Sequence, residues 1–146
     1  TKDTAVIEKG VVKQYFVSTY MAEKTGFEPT IEDISRPCVM PFVEGNKLTD
    51  LEKGVSLKDI LSLCGNGIYV TGFNGGNCNP VTGDFSFGIE GFAFSKGKIT
   101  HPVKEMLITG NIVELWNSLT AAGADTRSSS RWQIPTLAFE GVSFSA

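Results

Sequence analysis

Residues 85–95, Phe-Ser-Phe-Gly-Ile-Glu-Gly-Phe-Ala-Phe-Ser, alternate without a break between two faces. A period of two belongs to a β-strand and cannot be presented by a helix. One face carries Phe85, Phe87, Ile89, Gly91, Ala93 and Ser95; the other carries Ser86, Gly88, Glu90, Phe92 and Phe94. A long aromatic strand broken by glycine and small residues is expected to curve strongly or to take another backbone close against it. Lys96-Gly97-Lys98 then makes a tight turn, and Ile99 to Ile108 returns as a strand. The centre of the chain is therefore a hairpin.

Around it the pattern predicts more hairpins and a few short helices. Thr4 to Glu8 and Val11 to Ser18 alternate across Lys9-Gly10 and read as paired strands. Thr19 to Lys24 reads as a short helix stopped by Gly26 and Pro29, and Thr30 to Arg36 as a loop. Cys38 to Val43 is an apolar strand whose Pro41 lacks a ladder donor, which places it at an edge or a bulge. Leu57 to Cys64 is the clearest helix: Ser56 can cap it, Asp59 completes a capping box, and Leu57, Ile60, Leu61 and Cys64 share a face. Ile68 to Phe73 reads as a strand, and Asn74-Gly75-Gly76-Asn77 followed by Asn79 to Asp84 as one long, sharply bent loop. Ile112 to Leu119 reads as a helix with Leu115, Trp116 and Leu119 inward, Ala121 to Ser130 as a loop, and 137–139 and 142–144 as closing strands with a turn or bulge at Glu140-Gly141. The expected class is α+β, predominantly antiparallel hairpins in a curved or barrel-like sheet with two or three short helices.

The 146 residues correspond to a single domain, and 41% hydrophobic content is enough for a core without staples. A net charge of -3 with scattered basic residues disfavours nucleic-acid binding. Three unpatterned cysteines, Cys38, Cys64 and Cys78, suit reduced thiols in a reducing compartment. No signal peptide, membrane-spanning run or lipidation motif is legible, so a cytoplasmic protein is expected. The start at Thr1, with no methionine, is expected of a fragment or processed piece.

Catalytic constellations are sparse. The single histidine, His101, precedes Pro102 and reads as a surface residue. Two thiols, Cys64 and Cys78, make a poor zinc site even if they approach. A nucleophile would find only His101 as an imidazole base and no G-x-S-x-G elbow. Asp84 and Glu90 read as solvated carboxylates or turn caps. The glycines between Gly65 and Gly76 follow a helix and precede a strand, the reverse of a nucleotide-binding loop. Phe85, Phe87, Phe92 and Phe94 lack the basic residues of a single-strand binder and read as core.

Several blocks together carry a resemblance. These are Gly67-Ile-Tyr-Val through Phe73-Asn-Gly-Gly, Pro80-Val-Thr-Gly-Asp-Phe-Ser-Phe, Gly91-Phe-Ala-Phe-Ser-Lys-Gly-Lys-Ile, Pro102-Val, Thr109-Gly-Asn and Ile134-Pro-Thr-Leu-Ala-Phe. In order and spacing, from about Ile7 to Ala146, the chain resembles the C-terminal domain of the TldD/PmbA family, also described as candidate modulators of DNA gyrase. The resemblance implies a two-domain, dimeric protein whose N-terminal domain lies outside this chain, with peptides threading a cleft between subunits. It implies that active members carry H-E-x-x-x-H upstream and a zinc-binding cysteine in a C-G-K-type segment. Here that segment corresponds to Arg127-Ser-Ser-Ser-Arg-Trp-Gln, without cysteine.

The chain is thus similar to the PmbA (TldE-like) branch. A non-catalytic subunit domain is expected, without its own metal, paired as a homo- or heterodimer with a TldD-like subunit that holds the zinc. The substrate would be a peptide or unfolded segment, as in proteolysis or peptide maturation, with no direct nucleic-acid or membrane contact. Exposed strand edges beside a glycine-rich loop can take an extended peptide by β-augmentation. The candidate peptide-binding residues are Gly75, Gly76, Asn77, Thr82, Gly83 and Asp84, of which Gly75, Gly76 and Gly83 would let a substrate backbone come close. Two other readings stay open: the C-terminal half of a zinc peptidase whose H-E-x-x-x-H lies upstream, and a binding protein that modulates gyrase.

Overall fold

The structure, a computed structural model, describes residues 3–46 and 55–146. The chain divides into two compact units, Thr1–Pro37 and Cys38–Ala146.

In the first unit β1 (Ile7–Glu8) pairs antiparallel with β2 (Val11–Val12). The turn puts Lys9 at φ 50° and Gly10 at φ 76°, the two left-handed positions a two-residue hairpin turn needs. The ladder is much shorter than the predicted Thr4–Glu8 and Val11–Ser18. Thr30 takes over the backbone beyond it: its hydroxyl donates to Tyr15 O at 2.6 Å and accepts from Val17 N at 2.9 Å. Helix α1 (Thr19–Thr25) is capped by Ser18, and Gly26 ends it at φ 76°. This matches the predicted helix and its stop.

In the second unit, helix α2 (Leu57–Cys64) forms where predicted, with both halves of the capping box made. Ser56 N donates to Asp59 Oδ2 at 3.0 Å, and Asp59 N donates to Ser56 Oγ at 3.3 Å. The main sheet comprises β4 (Gly67–Cys78), β5 (Asp84–Ser95), β6 (Lys98–Asn111) and β9 (Ser143–Ser145), in the order β4-β5-β6-β9. A smaller sheet contains β3 (Phe42–Val43), β7 (Leu119–Ala122) and β8 (Leu137–Phe139), in the order β3-β7-β8. Helix α3 (Ile112–Asn117) links the two sheets. Among the described residues all strand pairs are antiparallel, so the α+β hairpin class is as expected. The main sheet is open rather than closed, and bulges interrupt its registers.

Four local expectations change. Asn74 to Asn77 is not a loop: β4 continues through it to pair Gly76 with Phe87 and Asn77 with Ser86. The extra residue between Phe73 and Gly76 is absorbed as a bulge, with Gly75 at φ 74° and Gly76 at φ 115°. The predicted helix to Leu119 stops at Asn117, and Leu119 begins β7. Ala121 and Ala122, predicted as loop, are 0% exposed in the middle strand of the small sheet. Small residues there let the flanking strands and α2 close over them. Finally, Cys38–Val43 shrinks to β3 at the sheet edge, and Cys38 makes only an isolated parallel bridge to Gln133.

Two cores result. Val43, Val55, Ile60, Ala121 and Ala138 form one, joining α2 to the small sheet. Phe85, Ile89 and Ile108 form the other, with Phe87, Ile68, Val70 and Phe144 packed on it. Phe85 and Phe87 stack with centroids 6.1 Å apart, as core residues rather than a base platform. Phe94 is buried on the face opposite Phe85 because its ring lies over Gly67, its register partner. Among the described residues no helix is long and apolar enough to cross a membrane.

Candidate functional site

The register Gly76–Phe87, Asn77–Ser86, Cys78–Phe85 brings Gly75, Gly76, Asn77, Thr82, Gly83 and Asp84 to one end of the β4–β5 hairpin. The two halves of this set differ in character. The turn half is locked internally. Asn79 Oδ1 accepts from Val81 N at 2.9 Å and Thr82 N at 3.3 Å, and Asn79 N donates to Asp84 O at 2.8 Å. Thr82 Oγ1 donates to Asp84 Oδ2 at 2.7 Å. Asn111 Nδ2 donates to Thr82 O at 2.8 Å and to Asp84 Oδ1 at 3.0 Å. The Asn111 and Thr82 hydrogen bonds hold the Asp84 carboxyl below its ordinary pKa. A carboxylate engaged at both oxygens stabilises a turn; it is not poised as a general base. Asn111 also caps α3, accepting from Val113 N at 3.0 Å. Sequence reasoning missed its role, because its partners lie far away in the chain.

The strand half is open. β4 is an outer strand of the main sheet, and its outer side pairs with no other strand among the described residues. Gly75 has nothing within 4 Å of where a Cβ would stand, whereas a Cβ on Gly76 would collide with Ser86 O and the Phe87 side chain. So Gly75 leaves room outside the strand, and Gly76 lets β5 approach inside it. Nearby Phe73 is 66% exposed and meets Phe87 edge-to-face at 5.8 Å.

An open groove of about 1080 Å³ runs beside the other end of β4. Leu61 and Cys64 of α2, Ile68 of β4, and Arg127, Trp132 and Glu140 contribute to its walls. The 127–133 segment singled out above thus borders the groove with hydroxyl, guanidinium and indole groups. Asp125, also on the groove and not foreseen, accepts from Thr136 N at 2.8 Å and Thr136 Oγ1 at 2.6 Å. Burial pushes its pKa up, but the Thr136 hydrogen bonds outweigh this and leave it lowered. Cys64 is a free thiol raised by burial and by the charge of Glu140. Cys78 packs instead against the core of the main sheet. His101 is exposed on β6, its Nδ1 3.2 Å from Thr100 Oγ1. Among the described residues no three His, Cys, Asp or Glu side chains converge as a complete metal set would.

Comparison with known proteins adds the lineage. The model of the PmbA/TldA metallopeptidase C-terminal domain matches residues 1–146. Metalloprotease PmbA of Escherichia coli O157:H7 is 28% identical over 91% of this chain and 28% of its own length. The PmbA homolog of Haemophilus influenzae is 29% identical over 99% of this chain and 30% of its own length. The chain thus spans under a third of the curated relatives it matches. A crystal structure from Bacteroides thetaiotaomicron, described as a candidate modulator of DNA gyrase, superposes with a TM-score of 0.80 at 46% identity, covering 99% of this chain and 31% of that one. One from Thermotoga maritima, described likewise, gives 0.76 at 26% identity, covering 96% and 32%.

Proposed function

Because this chain belongs to the PmbA/TldA metallopeptidase C-terminal domain family, we propose that it serves as the domain of a PmbA (TldE-like) subunit that helps hold peptides without itself cutting them. The zinc and its chemistry would come from a TldD-like partner, in a cytoplasmic homo- or heterodimeric assembly. Its substrates would be extended peptides or unfolded segments, in proteolysis or peptide maturation.

One observation carries this reading. The 127–133 segment, which the family resemblance aligns with a zinc-binding cysteine, borders the groove with Arg127, Ser130 and Trp132 and offers no thiolate. Hydroxyl and guanidinium groups do not replace a thiolate as zinc ligands. The outer side of β4, which pairs with no other strand among the described residues, supports the peptide half of the proposal: backbone donors and acceptors on such an edge can bind an extended chain with little dependence on its sequence.

The test is reconstitution. The full-length protein carrying this domain is mixed with a TldD-like subunit and an unstructured peptide. Cleavage that appears only in the mixture supports the proposal. Cleavage by the protein alone, abolished by a chelator, overturns it in favour of a self-sufficient peptidase. Binding to gyrase with no cleavage in any pairing overturns it in favour of a binding module.

A further inference from the structure

Two Asn-Gly dipeptides lie on the main hairpin, Asn66-Gly67 and Asn74-Gly75, and the fold treats them differently. Asn66 is pinned: its Oδ1 accepts from Ser95 Oγ at 2.9 Å and from Lys96 N at 3.1 Å. Gly67 sits in register with Phe94, whose ring would meet an added Cβ at 2.9 Å. Asn74 and Gly75 instead occupy the bulge between the pairs Phe73–Ile89 and Gly76–Phe87. Both are exposed, and the space around Gly75 is open. The oxygens of Asn74 lie against Gly88, which offers no side chain, and no hydrogen bond holds the Asn74 amide among the described residues.

We propose that Asn74 is a site of spontaneous deamidation in the folded protein. The Gly75 backbone nitrogen gives up its proton to solvent base and attacks Asn74 Cγ. A new carbon–nitrogen bond forms, the bond to the side-chain amide nitrogen breaks, and ammonia leaves with a proton from water. The five-membered imide is then opened by water at either carbonyl, giving aspartate or isoaspartate. No electrons are transferred, and the chain gains one negative charge. Glycine at 75 permits the attack because no Cβ shields its nitrogen. The isoaspartate product lengthens the backbone of β4 where it already carries an extra residue against Gly88. The proposal stands whether or not the β4 edge takes a peptide.

The full chain is aged in mildly alkaline buffer, digested, and analysed by mass spectrometry for aspartate and isoaspartate at both positions. A urea-unfolded sample runs in parallel. In the native chain, conversion at Asn74 is expected to exceed that at Asn66 by about tenfold, because only the pinned site must open first. In urea the two rates are expected to converge. Equal rates in the native chain, faster loss at Asn66, or no conversion at Asn74 while the unfolded chain converts would each overturn the proposal. Asn74→Gln should remove the isoaspartate signal; its persistence would also count against the assignment.

Discussion

Asn111, the last residue of β6, places its side-chain nitrogen 3.0 Å from the carboxylate of Asp84, the first residue of β5. One side chain thereby ties the β4–β5 turn to the entry of α3, since its Oδ1 also accepts from Val113 N. Asn111→Ala removes a helix cap worth about 1 kcal/mol and the donor to the turn as well. Asn111→Asp keeps the cap acceptor but sets a second carboxylate beside Asp84. Chemical denaturation should find both variants less stable, with Asn111→Asp recovering in acid and Asn111→Ala not. Equal pH profiles for the two would contradict this role.

The lowered carboxylates predict an acid limb. Asp59 is held low by the Ser56 hydroxyl and then by the Ser56 backbone N–H; Asp84 and Asp125 are lowered by the bonds described above. A group depressed by folding stabilises fully above its unfolded pKa, about 3.9 for aspartate, and loses that contribution as pH falls through the folded value. Melting temperature should therefore drop below about pH 4. Asp125→Asn should shallow that drop, and an unchanged slope would show that Asp125 does not contribute.

The bulge in β4 predicts an unequal response to alanine. Gly91→Ala drives a Cβ into the Tyr69 carbonyl of the neighbouring strand. A clash with backbone cannot relax through a rotamer, and a loss above about 4 kcal/mol is expected. Gly75→Ala meets no atom within 4 Å and bears only its positive φ of 74°, a cost of about 1–2 kcal/mol. Urea midpoints for the two variants decide the matter, and comparable losses would refute the bulge geometry.

Helix α2 gives the most local test. Ser56→Ala removes the acceptor for Asp59 N and the hydroxyl that donates to Asp59 Oδ2 at 2.6 Å. The expected loss is about 1 kcal/mol, read from thermal unfolding, and Ser56→Thr should retain most of it. No change in Ser56→Ala would mean that core packing of Ile60 alone holds the helix.

What was legible in the chain follows the range of each interaction. Ser56 and Asp59 are three residues apart, so the cap of α2 could be read directly, as could the Lys9-Gly10 turn and the stop at Gly26. Asn74 to Asn77 could not, because the same Asn and Gly residues serve a turn or a bulge, and the choice is made by Phe87 on another strand. Ala121 and Ala122 carry no amphipathic signal; they are a strand because two other strands and α2 surround them. At the candidate site, composition pointed to Gly75, Gly76 and Asn77. The bonds of Asn111 to Asp84 and of Asp125 to Thr136 span 27 and 11 residues and left no local trace.

The account turns on whether this polypeptide supplies ligands to zinc. Metal analysis of the purified full-length protein, alone and in complex with a TldD-like subunit, addresses it directly. The account predicts no tightly held zinc in the protein alone and zinc in the complex bound through the partner's side chains. Stoichiometric zinc in the protein alone, lost on substitution of Cys64 or His101, would contradict it.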